Sequence, residues 1–398
     1  MQGQRTRFVG IGVSALVALT LTPPAAQAFK LCSPQAFTLH VSPAGSDSNS
    51  GLSILAPLRT LKRANELLHQ YEPATDAHIR IDPASGDFVY NGSESGENTW
   101  TYFNPAHDTV FLPYGPDLCD LTDGRWSGTR PVFRGSGANR PGFWFYFNAS
   151  GLGLQGDVDT RLKFMGLEVT NFGKGGVSLQ GASFNQYHAN RNGFHNMDFV
   201  NIGKKFDPGV SNGYGAIVLK LSSHNIVSYS SFDEIINTGT VPSDDPDDPG
   251  APAAGHVHVL YLQHDSNANW FHHNRATDVS GDPIKFRDGS DYNAVEFSFF
   301  NRAGLNATSQ DYFHPNTPEW QAEGKVECTS VGNVLADNIT IVSGMRRGFD
   351  GQAINLRYFF GRGPEDDRPD CGTAASLTND DRIDLISNDS GTNDGPGW

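Results

Sequence analysis

His258-Val-Leu-Tyr-Leu-Gln-His-Asp-Ser-Asn-Ala-Asn-Trp-Phe271 and Pro283-Ile-Lys-Phe-Arg-Asp-Gly-Ser-Asp-Tyr-Asn-Ala-Val295 follow one order of residue types: an alternating strand, a Ser-bearing polar corner, an Asn, then a second apolar stretch. Gly215-Ala-Ile-Val-Leu-Lys-Leu-Ser-Ser-His-Asn-Ile-Val227 repeats it with a corner one residue shorter. Setting Ser266 and Asn269 on Ser290 and Asn293 gives a period of 24 residues. That period fits one turn of a right-handed parallel β-helix and is too short for a strand-helix-strand unit. Each turn leaves its strand edges unpaired until the next stacks on it at about 4.8 Å. The predicted fold is therefore an all-β, single-stranded solenoid stabilised by nearest neighbours, with ends that need caps.

Parity along these strands separates core from surface. With Leu219, Leu262 and Phe286 stacked inside, Lys220, Gln263 and Arg287 form one outward column, and Val218, Tyr261 and Lys285 form the next. His258, His264, Asp265 and Asp288 fall at the rims of the same turns. Two lysines, an arginine and a tyrosine thus converge within about 10 Å, or two rung spacings. Such a set suits β-elimination on a uronate, which needs its carboxylate neutralised, a base for the C5 proton and an acid for the leaving oxygen. Arg287 is the expected carboxylate clamp. Lys220 or Lys285 is the expected base, with Tyr261 or His264 as the alternative, while Gln263, His258 and Asp288 are expected to bind substrate. An ordinary solvated face of stacked Lys, Gln and Arg is the competing reading.

Val41-Ser-Pro-Ala-Gly-Ser-Asp47, Gly51, Pro57, Thr60-Leu61 and Ala64 resemble the entry segment of secreted right-handed parallel β-helix proteins, a group that includes many polysaccharide lyases and some glycoside hydrolases. The resemblance covers residues 38–71 and, more loosely, 160–345. Gly281-Asp-Pro-Ile-Lys-Phe-Arg-Asp-Gly-Ser290 is distantly similar to a segment of the chondroitinase B and alginate lyase group. That similarity implies Asp282 as a ligand for Ca2+ that screens the substrate carboxylate, and Lys285 as the basic position. Arg287 stands where the group has Gly.

Around this segment the chain divides simply. Thr60 is placed to cap a helix over residues 60–71, with Leu61, Ala64, Leu68 and Tyr71 at helical spacing, able to cover the open end of a coil. Residues 72–160 read as irregular early turns with excursions from Gly92 to Trp100 and from Tyr114 to Ser127. A β-helix domain is expected over 29–362 and a weakly ordered tail over 363–398. Asn225, Asn269, Asn274, Asn293, Asn333 and Asn338 are expected to stack as amide ladders, and His272-His273 to pack at a corner. Asp244, Asp245, Asp247 and Asp248, separated by prolines, read as a solvated loop rather than a calcium loop.

Residues 1–28 read as a secretory signal: Arg5 and Arg7, an apolar run from Phe8 to Leu21, then Ala26-Gln-Ala28. An extracellular or periplasmic monomer follows as the expectation, and its four cysteines would meet an oxidising compartment. Cys32 with Cys119, and Cys328 with Cys371, is the favoured pairing among the three possible. The formal charge of −15 argues against nucleic acid or an anionic membrane as main partner, and the outward residues with the lyase resemblance make a polysaccharide the expected one. Three functions fit: a lyase for acidic polysaccharide, an inverting glycoside hydrolase drawing on Asp265, Asp282 and Asp288, and a non-catalytic carbohydrate-binding surface protein. N-terminal sequencing of exported material is expected to begin at Phe29, and a product that still carries Met1 would remove the oxidising-compartment argument.

Overall fold

The computed structural model describes residues 35–90, 99–115, 128–137, 142–149, 152, 158–182, 188–203, 214–237, 240–241, 251–252, 257–304, 308–311, 330–341, 358–360 and 383–386. The expected leader and cleavage point, all four cysteines, the acidic proline loop and most of the tail lie outside these residues. Among those described, ten strands form one sheet (sheet 1) and eight form each of two others (sheets 2 and 3). The tail contributes Ile383–Ile386, paired in parallel with Asn333–Ala336 in sheet 1. No described helix is long and apolar enough to cross a membrane.

One turn runs from Tyr214–Lys220 in sheet 3 to Ile226–Ser228 in sheet 1 and Ser231–Ile235 in sheet 2. The next repeats this as Val257–Gln263, Trp270–His272 and Arg275–Val279, and a third as Ile284–Arg287, Ala294–Glu296 and Phe299–Ala303. Each strand pairs in parallel with its counterpart one turn away, giving the right-handed parallel β-helix expected from the repeat. The register is the predicted one: Leu219 faces Leu262 and Leu262 faces Phe286, all three fully buried. An antiparallel pair, Thr240–Val241 with Ala251–Pro252, stands apart in the insertion between sheets 2 and 3.

Each corner turns on a left-handed residue, and the sheet 3 to sheet 1 corner holds further ones at Leu221, His264, Asp265, Asp288 and Gly289. Asn196, Tyr229, His273, Phe297 and Asp337 make the bend from sheet 1 to sheet 2, with φ between 47° and 55°. Arg191, His224, Ala268, Tyr292 and Gly332 make the bend from sheet 3 to sheet 1. A left-handed non-glycine residue costs about 1–2 kcal/mol, so the residue that follows each bend has to secure it. At the sheet 3 to sheet 1 corner that residue is Asn, and its amide bonds upward on every turn. Asn192 Nδ2 donates to Asn225 Oδ1 (2.9 Å), Asn225 to Asn269 (2.7 Å), Asn269 to Asn293 (2.9 Å) and Asn293 to Asn333 (3.0 Å). At the other corner Ser and Asn alternate: Ser230 N donates to Asn274 Oδ1, Asn274 N to Ser298 Oγ and Ser298 N to Asn338 Oδ1. The expected ladders are present, and serines share one of them.

The cap helix spans Leu61–Tyr71. Thr60 Oγ1 accepts from Arg63 N (3.1 Å), and Asp47 accepts from Arg59 N, Thr60 N and the Thr60 hydroxyl, which ties the entry segment to the helix start. Its buried face is Leu61, Ala64, Asn65, Leu67 and Leu68. Tyr71, read as part of that face, is 41% exposed and only rests its ring 5.2 Å from Phe37. Asn65 takes its place as an anchor, accepting from Thr101 N and Tyr102 N.

The stretch expected to be irregular is instead regular coil where it is described. Ala77–Ile81 and Thr109–Pro113 join sheet 1, Val132–Gly137 joins sheet 2 and Phe143–Asn148 joins sheet 3. Its aromatic residues fill the core: Phe111 stacks on Phe164 at 4.8 Å, Phe164 on Phe194 at 5.2 Å, and Trp100, Trp144 and Phe145 pack beside them. The excursions proposed there fall largely on residues outside the described set.

Two stability outcomes follow. Asn269→Ala strips the acceptor from both Asn225 N and Asn225 Nδ2 and the donor from Asn293, so it should lower unfolding free energy by about 2–4 kcal/mol in urea titration. An unchanged midpoint would show that the ladder contributes nothing net. His272 lies on Trp270 at 3.9 Å, and burial, reinforced by His273 and His195, lowers its pKa from 6.5 to about 3. The unfolded chain therefore takes this proton first, and stability should fall as pH drops from about 6.5 toward 3. His272→Gln should flatten that part of the curve relative to the parent. Asp291, pushed up to about 7, acts with the opposite sign, favouring the fold at low pH in both proteins.

Candidate functional site

Sheet 3 presents its outward side chains in two columns. One runs Asn148, Gln180, Lys220, Gln263, Arg287, and its neighbour runs Tyr146, Ser178, Val218, Tyr261, Lys285. The three central turns match the sequence-derived alignment, including the Lys220 turn with its shorter corner. Five rungs at about 4.8 Å give a polar strip of about 19 Å.

Lys220, Gln263, Lys285 and Arg287 are all partly exposed. Arg287 Nη1 donates to Tyr261 Oη at 3.0 Å, and Lys285 Nζ lies over the Tyr261 ring, 5.7 Å from its centre. One tyrosine thus holds two cations on the adjacent rung in fixed relation, by a hydrogen bond and by attraction to its π face. Tyr261 itself is 1% exposed and Val218 is also buried, so pointing outward is not the same as meeting solvent. Tyr261 acts here as a support for Arg287 and Lys285 and is not a surface of the groove.

His258 is likewise corrected. Expected at the rim, it is 1% exposed, with Nδ1 2.6 Å from the Asp282 carbonyl and its ring 5.1 Å from Tyr261. A buried imidazole needs such a partner, and this one holds His258 beside Tyr261. Asp282 is 3% exposed, its carbonyl is taken by His258, and a side chain at Gly304 would come within 2.7 Å of its Cα. No group of three or more metal-binding side chains occurs among the described residues. This closed setting does not fit the calcium role implied for Asp282.

His264 and Asp288 do come together. Both are left-handed residues one rung apart at the edge where sheet 3 turns toward sheet 1, and His264 Nδ1 bonds Asp288 Oδ2. Asp265 follows on the same edge, where burial, then the Asp288 charge, raises its pKa. Asp291, which the sequence reading passed over, accepts from Val331 N, and burial is the main cause that pushes its pKa up to about 7. A basic strip with an acidic, histidine-bearing edge can hold an anion and exchange a proton beside it.

Sequence reasoning also missed the first two rungs of the strip. Asn148 Nδ2 donates to Tyr146 Oη at 2.9 Å, and Gln180 Nε2 to Ser178 Oγ at 3.0 Å. The alternation Phe143-Trp-Phe-Tyr-Phe-Asn148 carried that signal, with Tyr146 and Asn148 on the outward parity.

No family model matches the chain, and no curated protein matches it. Among solved structures, an alginate lyase from Paenibacillus sp. str. FPU-7 is 17% identical, with 73% of this chain and 75% of that one covered and a TM-score of 0.43. A pectate lyase is 16% identical over 81% of this chain and 74% of its own, with a TM-score of 0.45. A GH136 lacto-N-biosidase from Eubacterium ramulus is 12% identical over 77% of this chain and 55% of its own, with a TM-score of 0.39. All three scores lie under 0.5, and the assignment of a parallel β-helix rests on the sheet registers of this chain.

Proposed function

We propose that the protein is an exported, monomeric, carbohydrate-active enzyme that cleaves a uronate-containing polysaccharide by β-elimination along the outer strip of sheet 3. The observation that carries this reading is the pair of cations on one rung, Lys285 and Arg287, fixed through Tyr261. A uronate carboxylate fits the planar fork of Arg287, which would draw charge from C5 as the proton leaves. Lys285, two residues from Arg287 on the same face of the strand, would deliver a proton to the departing glycosidic oxygen. Lys220 and Gln263 extend the strip and would hold the neighbouring sugars. The step balances without a co-reactant: the C5–H electron pair becomes the C4–C5 double bond, the C4–O bond breaks, and the proton lost at C5 is matched by one gained at the leaving oxygen.

A second reading, inverting hydrolysis, draws support from Asp265, whose carboxyl is pushed toward its protonated form as a general acid requires. Product chemistry separates the two. Incubation with a panel of acidic and neutral polysaccharides should yield the ultraviolet absorbance of an unsaturated uronate from acidic chains. Arg287→Ala and Lys285→Ala should each cut that rate about a hundredfold or more while leaving the melting temperature within error. Reducing ends without unsaturated product would replace elimination with hydrolysis, and full activity in both variants would sink the site.

A further inference from the structure

We infer that the base of this elimination is His264, held by Asp288, and that the lysines of the strip do not serve as base; the assignment rests on the elimination reading above. His264 follows Gln263 directly and Asp288 follows Arg287 directly, so the dyad lies one residue beyond the Lys220, Gln263, Arg287 column, about 3.8 Å along the backbone. With Nδ1 bound to Asp288 Oδ2, the imidazole has one nitrogen left, Nε2, and the Asp288 contact is the one side-chain hydrogen bond His264 makes among the described residues. The His264 side chain is 33% exposed and that of Asp288 18%, so the histidine faces solvent from a sheltered carboxylate.

This arrangement selects a tautomer. An ionised Asp288 can only accept, so neutral His264 carries its proton on Nδ1 and presents the Nε2 lone pair. That lone pair can take the C5 proton, and the imidazolium that forms is stabilised by the carboxylate behind it. Lys285 is arranged for the other half of the reaction, since its ammonium lies over the Tyr261 ring, where a cation is favoured. The proton therefore passes from C5 to Nε2 while Lys285 Nζ gives one to the leaving oxygen, and water restores both groups afterwards.

Other charges share this edge. Asp265 and Asp291 lie among the carboxylates coupled to Asp288, His188 acts on Asp265, and Lys220, Lys285 and Arg287 occupy the adjoining strand positions. Asp288 is a positioning residue, so its loss should change how His264 titrates as well as how fast the enzyme turns over.

The decisive experiment compares parent, His264→Gln, His264→Ala, Asp288→Asn and Lys285→Ala on whichever uronate polysaccharide the parent cleaves, with melting curves for each. His264→Gln should lower kcat about a hundredfold or more with KM little changed. Added imidazole should restore part of the rate to His264→Ala and none to Lys285→Ala. In Asp288→Asn the rise of kcat/KM with pH should move to lower pH, because the imidazolium has lost its counter-charge. Full activity of folded His264→Gln, or imidazole rescue of the lysine variant alone, overturns this assignment and leaves the elimination site standing. A parent that releases no unsaturated product from any polymer overturns both. If a His264 variant fails to fold, the Asp288→Asn profile decides: an unshifted acid limb overturns the dyad.

Discussion

Everything in this molecule depends on register between turns, and two columns of buried amides and hydroxyls enforce it. Backbone ladders alone would let one turn slide along the next by two residues, keeping the same faces inward. The Asn192 to Asn333 ladder forbids that slide, because each amide accepts from the backbone N–H and side chain below and donates to the amide above. A shift would orphan several buried polar groups together, each costing about 1–3 kcal/mol. The left-handed residue before each Asn or Ser fixes the bend, and the ladder fixes its height. The columns of sheet 3 inherit their alignment from these two corners, and Arg287 meets Tyr261 only because the corners hold.

That dependence explains what could be read from the sequence. Ser266, Asn269, Ser290 and Asn293 are both the letters that reveal the period and the groups that impose it, so pattern and cause coincide. The register of Lys220, Gln263 and Arg287 followed from the same letters. Upstream of Asn192 the amide ladder has not begun, and Thr160 ends it by bonding Asn192 Oδ1 at 2.8 Å. Without that signature the aromatic turns from Ala77 to Asn148 looked irregular, although Phe111, Phe145 and Phe164 build the core by the same stacking as later turns. Tyr146 and Gln180 were lost with them.

The site was less legible for a different reason. Alternation tells which side of a sheet a residue occupies but says nothing of what lies over it, so Tyr261 and His258 read as groove residues and proved to be buried supports. The pairing of His264 with Asp288 needs two residues on different turns to adopt the same left-handed backbone, a property that no local window contains. Asp291 escaped for a related reason: its raised affinity for a proton comes from burial and from carboxylates one turn away.

Turn length has a consequence of its own. Successive ladder amides are 33, 44, 24 and 40 residues apart, yet the hydrogen bonds between them hardly differ in length. All of that variation is absorbed between sheet 2 and sheet 3 or beside the corner from sheet 3 to sheet 1, because the corner from sheet 1 to sheet 2 is two residues on every turn that carries the ladder. Closing a loop of twice the length costs only about 0.6 kcal/mol more in chain entropy. The fold thus separates inheritance from invention: the amide columns tolerate almost no change, while the segments that border the polar strip can lengthen, shorten or be exchanged at nearly no thermodynamic cost. A scaffold of this kind lets whatever borders the strip change without putting its own folding at risk.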